Sequence, residues 1–317
     1  MDTTTNDVSG DAGGAGPALS VVVVAYDMAR ELPRTLRTLD PSYQRGIAAS
    51  DYEVIVVDNG SPEPVDSAAL AWFGGDLRIT RLDPAPPSPA LAANTGVALA
   101  RGDLVGLIVD GARMASPGLL AGALLGARVA DRPVVSTLGW HLGSVRHMQA
   151  EEAGYDQAVE DELLDGVDWA ADGYRLFDVS VLNGSSAWGF FSPIAESSAL
   201  FLPRSMWADL GGLDEDFALP GGGLVNHDLY LRACSLPGAR LVTLLGEGTF
   251  HQYHGGAATG VAFGFEEMRD DYIAKKGEPY RAPTTPPILI GQVPEPVWRH
   301  VGDSVGLARE YRTRPNR

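Results

Sequence analysis

The chain of 317 residues carries a formal charge of −17, with 45% hydrophobic and 21% charged residues; that is enough apolar content for a proper core, over the length of one large domain or two small ones. So acidic a protein repels nucleic acid and anionic membranes, and any phosphate it binds must be met locally by a metal, backbone amides or a few arginines. The one cysteine, Cys234, excludes an intramolecular disulfide framework and fits a reducing cytoplasm, and no run of roughly 18 uncharged apolar residues suggests a membrane span.

Residues 1–16 are rich in Thr, Asp, Gly and Ala and read as a flexible tail, not a signal peptide. The β-branched run LSVVVVA (Leu19–Ala25) predicts a central parallel strand, and Leu32, Leu36 and Leu39 then give a helical stripe opposite Arg30, Arg34 and Arg37. A second strand over 52–57 ends in DNGS, followed by a short helix near 67–73, a third strand over 77–82 and the proline-rich loop DPAPPSP. The helix ALAANTGVALARGD leads into LVGLIVDGAR, a fourth buried strand that stops at Asp110. Beyond it, SPGLLAGALLGARVA predicts a helix with Ser116 as N-cap and Pro117 in its first turn. Strands follow over 133–138, 199–202 and 241–245, with acidic surface helices expected between 146 and 173. The prolines after Lys275 suggest an extended wrap that finishes in a short helix near 304–311. Strands alternating with helices imply right-handed crossovers and a mostly parallel, doubly wound α/β sheet.

In such sheets ligands lie beyond the carboxyl ends of the strands. Three strand ends share one crevice on this reading: Ala25, Tyr26 and Asp27 after the first, Asp58 and Asn59 after the second, and Asp110 after the fourth. Asp110 either faces a nucleotide diphosphate through a divalent metal or caps the following helix. AYDMAR after the first strand is not the G-x-G-x-x-G of a nicotinamide dinucleotide site.

The ordered series LSVVVVAYDMARELPRTLRTL, YEVIVVDNGS, ANTGVALARGDLVGLIVDGA and ALFLPRSMWADLGGLDEDF resembles a family 2 glycosyltransferase of the GT-A fold over residues 19–260. The resemblance implies a Rossmann-like, mostly parallel sheet with a smaller acceptor-side antiparallel part. It divides the chain into a tail (1–17), a nucleotide-binding half (18–115), an acceptor half (116–260) and a helical, Pro-rich extension (261–317). It also implies inverting transfer of a sugar from a nucleotide diphosphate donor (UDP, GDP or TDP linked) to an acceptor. By position, Ala25, Tyr26 and Asp27 line the base and ribose pocket, Asp58 contacts the base, Asn94 faces the ribose or diphosphate, and Asp110 falls on the acidic metal motif.

That motif usually carries two or three carboxylates, whereas here Asp110 precedes Gly111, Ala112 and Arg113. Either Mn2+ or Mg2+ is retained and His251 and His254 of FHQYHGG complete its sphere, or Arg113 or a histidine replaces it as counter-charge to the leaving diphosphate. The histidine pair can also simply hydrogen-bond a turn. The base should come from a pattern like E-D-x-D-L; in VNHDL only Asp228 matches, so Asp228 is the first candidate, Glu196 the second and Asp214 or Glu215 the third. An acid at a helix start also suits the helix dipole. Trp188, Asn226 and His227 are assigned to the acceptor side, where Trp140, His141, Trp169, Tyr174, Phe190 and Phe191 are either stacking surfaces or core. The acidic surface leans towards a small soluble acceptor. Alternatives are a catalytically degenerate nucleotide-sugar binding protein and a nucleotidyltransferase, which would need a basic Gly-rich loop after the first strand.

Overall fold

The computed structural model describes residues 16–150, 152–254 and 264–314. Most of the expected N-terminal tail therefore lies outside the described residues. In chain order the elements are β1 (Leu19–Ala25), α1 (Glu31–Leu39), β2 (Tyr52–Asp58), β3 (Asp76–Arg81), α2 (Ala90–Leu99), β4 (Leu104–Ile108), β5 (Arg113–Ala115), α3 (Leu119–Gly126) and β6 (Pro133–Leu142). They continue with α4 (Gln157–Asp165), β7 (Ser180–Leu182), β8 (Ala199–Pro203), α5 (Arg204–Leu210), α6 (Val225–Ser235), β9 (Arg240–His251), α7 (Phe265–Lys276), β10 (Ile288–Ile290) and α8 (Trp298–Thr313).

One sheet carries the order β10-β9-β6-β8-β4-β1-β2-β3. β4, β1, β2 and β3 run parallel, as do β6, β9 and β10. β8 is reversed between β4 and β6, and with β5 against β9 and β7 against β6 it forms the small antiparallel part. Because side chains alternate across a strand, β1 feeds two cores. Leu19, Val21 and Val23 pack with Leu32, Leu36 and Leu39 of α1 and Leu119 and Leu120 of α3 on one face. Val22 and Val24 pack with Ala92 and Ala93 of α2, Trp207 of α5 and Tyr230 of α6 on the other. Gly96 permits the tight crossing of α2, since a Cβ there would lie 2.2 Å from Val22 Cγ1.

Several local expectations differ from what forms. Residues 67–72 make consecutive turns, not a helix, in a segment too short to repay helix nucleation. Ser116 does not cap α3. Its hydroxyl donates to the buried carboxylate of Glu247 at 2.5 Å, and Glu247 also accepts from Gly118 N and Tyr174 Oη. β9 does not stop at residue 245 but runs on to His251, and the C-terminal helix α8 spans 16 residues. Trp140 and Phe190 are core residues, with Trp140 packed edge-on to Phe177 and His300.

At the amino end of the sheet Glu53 ties β1, β2, β3 and the α2–β4 turn together. It accepts Ser20 Oγ at 2.6 Å, Arg101 N at 2.8 Å and Arg78 Nη1 at 3.0 Å. Burial alone would raise the proton affinity of Glu53, but these donors outweigh it and hold its pKa below the usual value of 4.5. A depressed native pKa makes the unfolded chain take up protons first as pH falls, so this stabilisation is full above about pH 4.5 and is lost on acidification. Glu53→Gln is expected to lower unfolding free energy by about 1–3 kcal/mol at pH 7, because buried donors lose their partner. The gap from wild type, measured by urea denaturation, should narrow between pH 5 and pH 3.

Candidate functional site

Two strand registers assemble a cluster at the carboxyl edge. Ile108 of β4 pairs with Ala199 of β8, so Asp110 and residues 196–198 emerge from the sheet side by side. Arg113 of β5 pairs with His251 of β9, and Gln252 N donates to Ala112 O at 2.8 Å. The extended β9 thus carries His251 to Asp110. Gly111 packs on the end of β1, where a Cβ would sit 3.1 Å from Ala25 Cβ and from Met28 Sδ. Ala112 is fully buried, and its N–H donates to Asp110 Oδ1 at 2.8 Å.

Asp110 Oδ2 lies 2.6 Å from His251 Nε2 and 3.6 Å from His254 Nε2, and the two imidazole nitrogens are 3.0 Å apart. Arg113 Nη2 stands 3.8 Å from the same oxygen, while its Nη1 donates to Ser198 Oγ at 3.2 Å. Burial opposes charge on Asp110, but the two histidines more than compensate and hold its carboxyl well below the usual range. Burial pushes His251 down to about 4, whereas Asp110 outweighs burial at His254 and raises it. Each of these close contacts needs a proton or a cation between its two atoms. Each of the three side chains offers one ligand atom within 4.8 Å of the others, so the residues fit a divalent metal centre.

Behind His251 lies an aromatic wall. His147 stacks on His141 with ring centroids 4.2 Å apart and meets Tyr253 edge-on at 5.5 Å. Burial lowers the pKa of His147 to about 3, and its Nε2 lies 3.2 Å from Leu142 O. Tyr253 N donates to buried Glu160, which also binds Arg30 and Tyr155. His147 and Glu160 escaped the sequence reading because they fall in and beside a stretch that looks like a solvated acidic face. The available signal was a histidine placed six residues after another at the end of a strand.

The remaining expected site residues divide into open and committed ones. Tyr26 is 54% exposed. Asp27 takes φ 52°, unusual for a residue other than glycine, and its N–H donates to Ser61 Oγ at 3.0 Å. Ala25 is buried and offers only backbone. Asp58 is 1% exposed, with its carboxylate held by Ser61 N, Val65 N and Arg81. Asn94 brackets Leu213, accepting its N–H at 2.8 Å and donating to its carbonyl at 3.0 Å, and it reaches Glu215. Asp228 is buried with Oδ2 2.7 Å from Arg232 Nε and Oδ1 3.0 Å from Lys276 Nζ. Asp214 likewise pairs with Lys276. Glu196 accepts Ser185 Oγ at 3.0 Å and stands 3.5 Å from His227 Nδ1. Asn226 precedes His227 in α6 and has a buried, unpartnered Oδ1. Trp188 is covered by the end of α8, with Arg314 4.1 Å above its ring and Tyr311 5.7 Å away. A cavity of about 810 Å³ lined by Arg45, Tyr174, Glu247 and Pro294 lies elsewhere and shares no residue with this cluster.

Residues 20–111, from β1 to the glycine after Asp110, match the family model described as Glycosyl transferase family 2. Over that segment the chain is similar to the family. It is 29% identical over 237 residues to a validoxylamine A glucosyltransferase of Streptomyces hygroscopicus subsp. jinggangensis, covering 70% of this chain and 53% of the relative. An uncharacterized protein, y4gI, of Sinorhizobium fredii is 30% identical over 140 residues, 41% of this chain and 14% of its own length. The chain therefore spans about half the length of one curated relative and far less of the other. The crystal structure of S. aureus TarS 1-349 shares the fold with a TM-score of 0.51 at 13% identity, over 74% of this chain and 60% of that one. The same TarS segment in complex with UDP-GlcNAc gives a TM-score of 0.50 at 15% identity, over 80% and 66%. The α/β sheet with its antiparallel insert agrees with these GT-A neighbours.

The Asn94 bracket accounts for the GGLDEDF loop, since a Cβ on Gly212 would lie 2.3 Å from Asn94 Oδ1. Asn94→Ala should cost about 1–2 kcal/mol, the loss of two or three part-buried hydrogen bonds. Hydrogen exchange should speed up at residues 211–217 and stay unchanged in β1.

Proposed function

We propose that this family 2 chain is an inverting glycosyltransferase that moves a sugar from a nucleoside diphosphate donor to a small acceptor, with a divalent cation held by Asp110, His251 and His254. The observation that carries this reading is the convergence of those three side chains at the carboxyl edge where β1, β2 and β4 end. The donor is UDP, GDP or TDP linked, with its nucleoside over exposed Tyr26 and the strained turn at Asp27. The name of the Streptomyces relative supports a small acceptor.

When bound, the cation neutralises the diphosphate as it departs. Arg113, held by Ser198 beside Asp110, adds a fixed positive charge on the same side. Glu196 is the base on this reading, in preference to Asp228, whose two oxygens are already committed to Arg232 and Lys276 in a buried pair. Glu196 takes the proton from the acceptor hydroxyl or amine, and the freed lone pair attacks the anomeric carbon from the face opposite the diphosphate. The new bond forms as the carbon–oxygen bond to the diphosphate breaks, and configuration inverts. His227, 3.5 Å from Glu196, and Asn226 before it in α6 orient the acceptor. Ala112 and Asn226, where the family pattern has acids, favour a second reading in which the chain binds nucleotide sugars without turning them over.

Release of nucleoside diphosphate from a panel of UDP, GDP and TDP sugars, with Mn2+, Mg2+ or EDTA, separates the two readings. Turnover should need the cation and be highest with Mn2+. Asp110→Ala and His251→Ala should each lower kcat/KM by about 100-fold or more. Glu196→Gln should lower kcat by about 100- to 10,000-fold with donor affinity kept. Full transfer activity in Glu196→Gln, with loss in Asp228→Asn, would return the base to Asp228; donor binding without turnover in any condition would favour the binding protein.

A further inference from the structure

Among the described residues, His251 Nδ1 and His147 Nδ1 are both buried without a hydrogen-bond partner, on rings whose centroids are 5.2 Å apart. The chemistry of each nitrogen follows from what its ring does elsewhere. His147 Nε2 faces the carbonyl oxygen of Leu142, which only accepts, so the proton of that neutral ring is on Nε2 and its Nδ1 carries a bare lone pair. His251 directs Nε2 at Asp110 and His254. If that nitrogen gives its lone pair to a cation, the proton of His251 must be on Nδ1. A donor and a bare acceptor then sit on adjacent buried rings.

We propose that His147 is a positioning residue for the metal centre: its Nδ1 accepts, through one water, from the Nδ1–H of His251 and fixes the tautomer that aims the Nε2 lone pair at the cation. This deepens the metal reading of the Asp110 site and rests on it. His147 is well placed for the task, because stacking on His141 and the edge of Tyr253 fix its plane and Leu142 fixes its tautomer. Outer partners of this kind orient a ligating imidazole and raise its basicity. The ligand atoms of His141, His147 and His251 also lie within 4.8 Å of one another, but they do not form a second cation site. His141 Nδ1 already accepts the backbone N–H of His147 at 2.8 Å, so its other nitrogen carries the proton and no lone pair is left to offer.

The test is Mn2+ titration by calorimetry of the EDTA-stripped wild type, His147→Phe and His147→Asn, with thermal unfolding in EDTA as the control for folding. Phenylalanine keeps the stacked ring and removes the acceptor; asparagine keeps an acceptor oxygen near the Nδ1 position. His147→Phe is expected to bind Mn2+ about 10- to 100-fold more weakly, and His147→Asn to stay close to wild type, with one equivalent bound and unfolding temperatures alike. Equal affinity in wild type and His147→Phe overturns the role of His147 while leaving the metal site standing. Equal weakness in both variants overturns it too, as does a second equivalent bound to wild type. Should His147→Phe fail to fold, His147→Asn decides alone: retained affinity supports the proposal and lost affinity overturns it. A wild type that binds no Mn2+ removes the metal reading itself, and this proposal with it.

Discussion

Three lone-pair atoms from distant parts of the chain are forced together at the carboxyl edge of the sheet, and the neighbouring structure serves to hold them there. Asp110 Oδ2 and His251 Nε2, 2.6 Å apart, repel unless a proton or cation lies between them. The contact is set by backbone, not by side-chain choice: the pairing of Arg113 with His251 and the bond from Gln252 N to Ala112 O leave β9 no other register. Gly111 and Ala112 are small because β1 and the core lie directly against them. In a chain of net charge −17, a diphosphate approaching this edge meets one guanidinium, Arg113, already leaning on a carboxylate. On the proposed reading, a cation held by Asp110, His251 and His254 would supply the charge that Arg113 alone does not.

The polar residues around this edge serve two purposes that look alike in sequence. Where strands end, backbone groups lose their ladder partners and need substitutes. Asp58 supplies them to the turn after β2, and Asn94 to the loop after α5. Asp228 neutralises Arg232 and Lys276, which joins α6 to α7. These residues shape the rim of the crevice without opening a free atom to it. Tyr26, Asp27, Asp110 and Glu196 differ in keeping part of the side chain accessible or short of partners.

The order of strands and helices was legible because buried parallel strands write themselves as β-branched runs such as LSVVVVA and YEVIVVD. The meeting of Asp110 with His251 and His254 was legible as well, through a missing acid and a glycine-bounded histidine loop. What sequence could not supply was the partner of each polar side chain. Asp228 matches an acidic pattern whether or not a lysine nearly fifty residues later reaches it, and Trp188 reads as an exposed stacking surface until α8 lies across it. His147 was hidden for the same reason: its burial depends on β6, β9 and the Tyr155 turn closing over it, and no local pattern records that. The extra length of β9 is also a tertiary effect, since the continuing strand is paired by β5 and β6 on its two sides.

Exchanging a second acid for imidazoles changes the electrostatics of the centre. One carboxylate and two neutral histidines give a divalent cation a net charge of about +1, whereas two carboxylates would cancel it. On the proposed reading, a more positive centre would draw the departing diphosphate more strongly. It would also hold its cation less tightly, because one attractive charge is missing from the ligand set. A site built this way depends more on preorganisation: each imidazole must present its lone pair in the right tautomer before the cation arrives. On the proposed reading, the stacked rings of His141 and His147 behind His251 would supply that rigidity.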